Sequence, residues 1–74
     1  MSNLVSVVIG VDEKVKIENI AAILSKDYEA DVCDIDQNIH CIFAGIKSNF
    51  LKKIKEIEGI LAIVKEENQI TSIG

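Results

Sequence analysis

The order of strand-like and helix-like patterns restricts the fold of this chain more than any other feature. Residues 4–11, LVSVVIGV, form a β-branched run that predicts a largely buried strand. Asp12 can then cap a helix over residues 13–27, with Glu13 in its first turn. The apolar residues of this segment fall at helical spacing on one face: Ile17, Ile20, Ala21 and Leu24. The chain therefore begins as a strand followed by an amphipathic helix.

The middle of the chain has the pattern of a β-hairpin. Residues 31–36 alternate polar and apolar side chains, and residues 39–46 do so less strictly. Gln37-Asn38 lies between the two runs, and asparagine tolerates the left-handed conformation that tight turns require. The sequence therefore predicts two antiparallel strands joined by a short turn.

The last third of the chain repeats the helix-then-strand order. Ser48 can cap a second helix whose apolar stripe contains Phe50 or Leu51, then Ile54 and Ile57. Gly59 is expected to end this helix, and ILAIV at residues 60–64 begins the last strand.

The predicted order of elements is thus β-α-β-β-α-β. Because β-α-β crossovers are right-handed, both helices should cover the same face of one antiparallel sheet. We therefore expect an α+β fold, a single ferredoxin-like domain over residues 1–74, with a four-stranded antiparallel sheet and two helices on one face. The first and third strands should be central. Charge at residues 65–67 should keep the end of the last edge strand in water and discourage further pairing.

Composition limits the classes of function. Seventy-four residues with 49% hydrophobic content fit one small globular domain. A net charge of −4 argues against nucleic acid or an anionic membrane as the main partner. Two cysteines are too few for a disulfide framework. The sequence shows no secretory signal and no apolar run near the roughly 20 residues that span a bilayer, so we expect a cytoplasmic protein with no membrane span.

Side chains that could carry chemistry crowd into the predicted hairpin: Cys33, Asp34, Asp36, His40 and Cys41. Thiolates, imidazole and carboxylates all bind zinc, which requires about four of them. With the turn centred on Gln37, Cys33 faces Cys41 and Asp34 faces His40, so the two pairs point to opposite faces of the sheet. We therefore predict no metal site, two cysteines that act as small buried hydrophobes, and a histidine on the surface of a strand. No glycine-rich phosphate loop follows the first strand, and we expect neither catalysis nor a cofactor.

The face of the sheet that the helices leave bare is the candidate binding surface. On the first strand Leu4, Ser6 and Val8 share this face, and residues 60–64 are apolar on both faces. An apolar bare face predicts contact with a peptide, a protein or a second copy of the chain. The alternative is that isoleucine and valine occur there because of their high strand propensity, without any binding role. Binding would combine main-chain strand pairing with apolar contacts. The candidate peptide- or partner-binding residues are Leu4, Ser6, Val8, Ile63, Glu66, Glu67, Thr71, Ser72 and Ile73.

Charge is segregated along the chain. Residues 27–36 contain five acidic side chains, and residues 47–55 contain four lysines. This pattern indicates either ordinary solvated faces or an acidic edge that attracts a basic peptide.

Three short segments carry a family resemblance. They are Leu4-Val5-Ser6-Val7-Val8, then Ile17-Glu18-Asn19-Ile20 with Leu24 and Asp31-Val32, and finally Ile57-Glu58-Gly59-Ile60-Leu61-Ala62-Ile63. They resemble the opening strand, the first helix leading to the second strand, and the entry to the last strand of the NapD family, cytoplasmic assembly chaperones of periplasmic nitrate reductase. The resemblance implies a non-catalytic protein that binds a twin-arginine signal peptide on its sheet and delays export until the cofactor of the reductase is loaded. In that family an aromatic-histidine pair stands where this chain has Lys65-Glu66-Glu67.

Two other resemblances remain open. Phe43-Ala44-Gly45 and Val64-Lys65-Glu66-Glu67-Asn68 are similar to segments of the subtilisin-propeptide-like family, protease inhibitors and folding chaperones whose C-terminal tail enters the protease cleft. That resemblance implies that Gln69 to Gly74 act as the tail. The predicted plait also resembles ACT-type regulatory domains, which form dimers and bind a small ligand, but their glycine-containing turn is missing from Val11-Asp12-Glu13-Lys14.

Overall fold

Four strands and two helices follow one another in the order β-α-β-β-α-β along residues 4–66, which are the residues that the computed structural model describes. The strands are β1 (Leu4–Val11), β2 (Asp31–Asp36), β3 (Cys41–Lys47) and β4 (Ile60–Lys65). Helix α1 (Ile17–Asp27) follows β1, and helix α2 (Leu51–Ile54) follows β3 after a single 3₁₀ turn, Ser48–Phe50. The predicted α+β class, with two helices and one four-stranded antiparallel sheet, is confirmed.

The sheet has the strand order β2-β3-β1-β4. Strand β1 pairs antiparallel with both β3 and β4, and β2 pairs antiparallel with β3. Strands β3 and β1 are therefore central, and β2 and β4 form the two edges among the described residues. No helix within residues 4–66 is long and apolar enough to cross a membrane.

The core lies between the helices and one face of the sheet. Val7, Ile9 and Val11 of β1 are buried there, as their alternation in the sequence predicts. Helix α1 adds its predicted stripe, and α2 adds Ile54, which is fully buried. The remaining buried apolar side chains are those of Ala30, Ile42, Ala44 and Ile46. The buried side chains of both helices thus join one cluster with the same face of β1 and β3.

Helix α1 begins four residues later than predicted, and Asp12 is not its cap. The Asp12 carboxylate accepts a hydrogen bond of 2.9 Å from the backbone N–H of Lys14, and its carbonyl accepts one of 3.0 Å from Val15. These bonds close a turn just after β1, since an aspartate can satisfy backbone groups of a turn as well as those of a helix. The helix then starts from Lys16, which is extended and makes no side-chain cap.

The hairpin turn is longer than predicted, and the extra residues change which side chains of β2 and β3 lie opposite each other. It comprises residues 37–40, with His40 in the left-handed region at φ 56, so β3 begins at Cys41 and not at Ile39. Cys41 pairs with Asp36, and a β-bulge at Cys33 shifts the register between Val32 and Asp34. The predicted pairing of Cys33 with Cys41 and of Asp34 with His40 is therefore wrong.

Helix α2 is a single turn, much shorter than its predicted stripe. Ser48 begins the 3₁₀ turn and makes no side-chain cap, and the helix ends at Ile54. Gly59 is the last residue of the connection between α2 and β4. Its φ is 105, a value that glycine adopts readily and other residues adopt rarely. Its carbonyl accepts a hydrogen bond of 2.8 Å from the N–H of Asp12, which fixes the entry to β4 beside the end of β1.

Candidate peptide-binding surface

The face of the sheet opposite the core carries a row of apolar side chains. Directly opposed residues of antiparallel strands share a face, and Val8 lies between Phe43 on β3 and Val64 on β4. Val64 is 61% exposed and Leu4 is 44% exposed, whereas Val8 and Phe43 are half-buried by their neighbours. We call Leu4, Val8, Phe43 and Val64 the open-face band.

Glycine makes part of this surface flat. Gly45 lies opposite Ser6, and a Cβ built on it would come within 3.3 Å of the Leu4 side chain. Leu4 therefore lies over Gly45. Gly10 lies between Cys41 and Ala62, so the row beside Val8 has only small side chains. A ligand could approach the backbone closely along that row.

Three aspartates border the open-face band along strand β2. Asp31, Asp34 and Asp36 lie opposite Gly45, Phe43 and Cys41, so all three belong to the open face. Two are exposed and Asp36 is half-buried. Asp34 and Asp36 each accept a hydrogen bond from a nearby backbone N–H, at 2.9 and 3.0 Å, which orients one oxygen and leaves the other for a ligand. We call Asp31, Asp34 and Asp36 the acidic margin.

One lysine of the open face, Lys47 opposite Leu4, is paired with a carboxylate outside the acidic margin. Lys47 forms a salt bridge with Glu29, the residue in the left-handed conformation just after α1. The hydrogen bond from Lys47, and then its positive charge, hold the pKa of Glu29 below its usual value of 4.5. Within residues 4–66 the structure shows no other salt bridge. None of the three aspartates of the acidic margin is therefore paired with a lysine of the described residues.

The predicted contact residues fall in different places. Leu4, Ser6 and Val8 lie on the open face. Ile63 lies opposite Ile9 and packs against the core, so it cannot contact a ligand on the open face, and Val64 is the residue that does lie beside Val8. Glu66 is exposed, and its N–H donates a hydrogen bond of 2.8 Å to the Ser6 carbonyl at the end of β4. Glu67, Thr71, Ser72 and Ile73 lie outside the described residues.

Phe43 and Val64 are the parts of the surface that sequence reasoning missed, whereas the acidic margin falls within the acidic segment, residues 27–36, that the sequence offered as a possible binding edge. The predicted turn was two residues too short, so residues 39–46 gave no reliable indication of which side chains shared a face with Val8. The available signal is the period of two along β3, which places Cys41, Phe43 and Gly45 on one face and Ile42, Ala44 and Ile46 on the other.

The cysteines and the histidine do not converge. Cys33 is exposed at the β-bulge, where its thiol donates to the Asp31 carbonyl at 3.6 Å, so the prediction that it is a buried hydrophobe is wrong. Cys41 is half-buried on the open face, with its sulfur 3.4 Å from the Ile39 carbonyl. His40 belongs to the turn and not to a strand, and its Nε2 lies 3.2 Å from the Val15 carbonyl. Residues 4–66 contain no group of three or more histidine, cysteine, aspartate or glutamate side chains placed to hold a metal ion.

Comparison with protein-family models, with curated proteins and with solved structures finds no match to this chain. The resemblance to the NapD family therefore stays a prediction. The surface itself offers an apolar row for side chains and carboxylates along one border for cationic groups.

Proposed function

We propose that this chain is a non-catalytic peptide-binding module with the ferredoxin-like plait, acting as an assembly chaperone of the NapD type. In this proposal the open face binds a twin-arginine signal peptide and keeps its precursor from export. Read from the β4 edge, the strand order is β4-β1-β3-β2, with the first and third strands central, and this order supports the plait.

The adjacency of the open-face band to the acidic margin is the observation that carries the proposal. A signal peptide has a positively charged region followed by an apolar region. The aspartates offer carboxylates that arginine binds through two parallel hydrogen bonds. Phe43, Val8 and Val64 offer a row across three strands, about 10 Å from end to end, for the apolar side chains that follow. A basic and apolar peptide thus matches both halves of the surface.

Val8→Asp tests this proposal directly. It places a charge in the middle of the open-face band, so we expect it to weaken binding of a fluorescein-labelled twin-arginine signal peptide by at least about ten-fold, since burying an unpaired carboxylate against apolar side chains is costly. Fluorescence anisotropy with the full chain measures the dissociation constant. The matched control is Ala22→Asp, which adds the same charge on the exposed face of α1.

The outcomes separate the proposal from its alternatives. Absence of saturable binding by the unaltered chain, or equal binding by V8D and A22D, would rule out the open face as the site. A parallel assay with a subtilisin addresses the propeptide-like alternative: inhibition that disappears when Thr71 to Gly74 are deleted would replace the chaperone proposal. A stable dimer that binds a small ligand and not the peptide would favour the ACT-type alternative.

A further inference from the structure

A groove runs along the edge of strand β4, mostly on the helix-covered side of the sheet and reaching the open face at Ala62. One cavity of about 370 Å³ lies between α2 and β4 and is lined by Ser48, Leu51, Lys52, Lys55, Ile63 and Lys65. A second cavity of about 400 Å³ shares Lys55 and Ile63 with it and continues along residues 60–62. Together the two cavities follow the whole length of β4. We call them the α2–β4 groove.

The groove combines an apolar floor with cationic walls. Leu51 and Ile63 are half-buried and pack against the core. Lys52, Lys55 and Lys65 are exposed. The lining residues, all within the described part of the chain, include no aspartate or glutamate. In a protein of net charge −4, this is a local positive site that favours an anionic ligand.

The edge of β4 supplies backbone hydrogen-bonding groups beside the groove. The N–H of Glu66 points to Ser6 on β1, and in an antiparallel ladder the direction of these groups alternates from residue to residue. The backbone groups of Ile63 and Lys65 therefore point away from β1, to the edge that no strand of residues 4–66 covers. An extended peptide can add there as a fifth strand.

The other edge of the sheet is less suited to strand addition. Strand β2 carries the β-bulge at Cys33 in its middle, and bulges interrupt regular pairing. In β4 the register shift lies at the start, between the pairings of Gly10 and Val11, so residues 62–65 remain regular. Six residues of β4 extend over about 20 Å, which is the shape of a strand and not of a compact small molecule.

We propose that the edge of β4 and the α2–β4 groove bind an extended acidic peptide segment by strand addition. Its main chain pairs with Ile63 and Lys65, and its alternate side chains, glutamate or aspartate, reach Lys52, Lys55 and Lys65. A second copy of this chain fits less well, because symmetric β4–β4 pairing would bring the two sets of lysines together. This site adjoins the open face at Ala62 and Val64, but its lysines lie outside that face and it does not depend on the function proposed there.

Lys55→Gln against Lys53→Gln tests the site. Lys55 belongs to both cavities, whereas Lys53 lies on the same short helix but over the Phe50 ring, 5.8 Å from its centroid. The probe is a fluorescein-labelled heptapeptide with glutamate at alternate positions and threonine between them, titrated against the full chain in about 50 mM salt, where screening is weak. We expect saturable binding that K55Q weakens about five-fold and K52Q/K55Q about twenty-fold, with little change for K53Q.

Two altered probes examine the mechanism. Replacing the glutamates of the heptapeptide with glutamine should abolish the preference for the unaltered chain over K55Q. Methylating the alternate backbone nitrogens that would pair with β4 should abolish binding, because strand addition requires those N–H groups. Equal binding by K55Q and K53Q, undiminished binding of the methylated probe, or no saturable binding by the unaltered chain would each overturn the proposal. So would sedimentation showing a dimer that the probe dissociates, since the second copy would then be the occupant of the edge.

Discussion

At the scale of single residues, Gly59 has the most restrictive position among the glycines of residues 4–66. Its φ of 105 is a conformation that side chains with a Cβ rarely adopt, and a Cβ there would lie 3.2 Å from both Ile20 Cδ1 and Val15 Cγ2. The backbone cannot relax freely, because the Gly59 carbonyl is hydrogen-bonded to Asp12 at the end of β1. Gly59 thus allows the backbone at the start of β4 to lie against Ile20 and Val15 while it is hydrogen-bonded to the end of β1.

Gly59→Ala should therefore destabilise the protein by about 2 kcal/mol, the usual cost of holding a residue in a sparsely populated backbone conformation. The matched control is Gly10→Ala, whose new Cβ would be 3.8 Å or more from its neighbours on the open face and should change stability by less than about 0.5 kcal/mol. Urea denaturation followed by circular dichroism measures both. Similar losses for the two variants would contradict this explanation.

At the scale of elements, helix α2 is the one that depends most on tertiary contacts. Four residues form a single helical turn, which has no stability of its own in water. Its one fully buried side chain is Ile54, which belongs to the same cluster as Ile9 and Ile20. The helix therefore exists because Ile54 packs against the sheet.

Ile54→Ala should cost about 3 kcal/mol, since it removes buried methyl groups and leaves a cavity. Leu51→Ala is the control on the same turn, because Leu51 is half-buried at the groove and should cost about half as much. The free energies of unfolding come from urea titrations of the two variants. A smaller loss for I54A than for L51A would show that α2 is held mainly from its groove side.

The sequence predicts the kind of each element, helix or strand, better than it predicts the residues at which the element begins and ends. The stripe of α1 and the β-branched run of β1 identify both elements correctly, because their side-chain periods are set within one segment. The structure differs from the sequence-based expectation in the start of α1 and the length of α2. Asp12 and Ser48 can satisfy a turn or a helix equally well, and which they do depends on where the strands on either side must end.

At the scale of the whole molecule, two surfaces of opposite charge lie on different sides of the sheet. The acidic margin follows β2 on the open face, and the lysines of the α2–β4 groove lie beside the opposite edge strand. Strands β3 and β1 separate the two edges. The two proposed ligands, a basic apolar peptide and an acidic extended one, would therefore contact different charged side chains, although both approach β4.

We accordingly expect the two peptides to bind together. A saturating concentration of the acidic heptapeptide should change the dissociation constant of the twin-arginine peptide by less than about two-fold, since the two sites use different charged side chains on opposite edges of the sheet. Anisotropy of the labelled signal peptide, with and without unlabelled heptapeptide, measures this. Mutual displacement would mean that both ligands use one surface. The control is a heptapeptide with glutamine in place of glutamate, which excludes an effect of charge in solution.

The sequence by itself determined the types and order of the elements, the buried side of β1 and the stripe of α1. These follow from local periodicity, because the pattern of apolar side chains within one segment already defines its inner face. The register between strands was decided only by the tertiary structure. It depends on the four-residue turn at 37–40, the bulge at Cys33 and the shift beside Val11, and a change of one residue moves every side chain of a strand to the other face. For that reason Val8 could be placed on the open face from the sequence, whereas its neighbours Phe43 and Val64, and the core position of Ile63, could not.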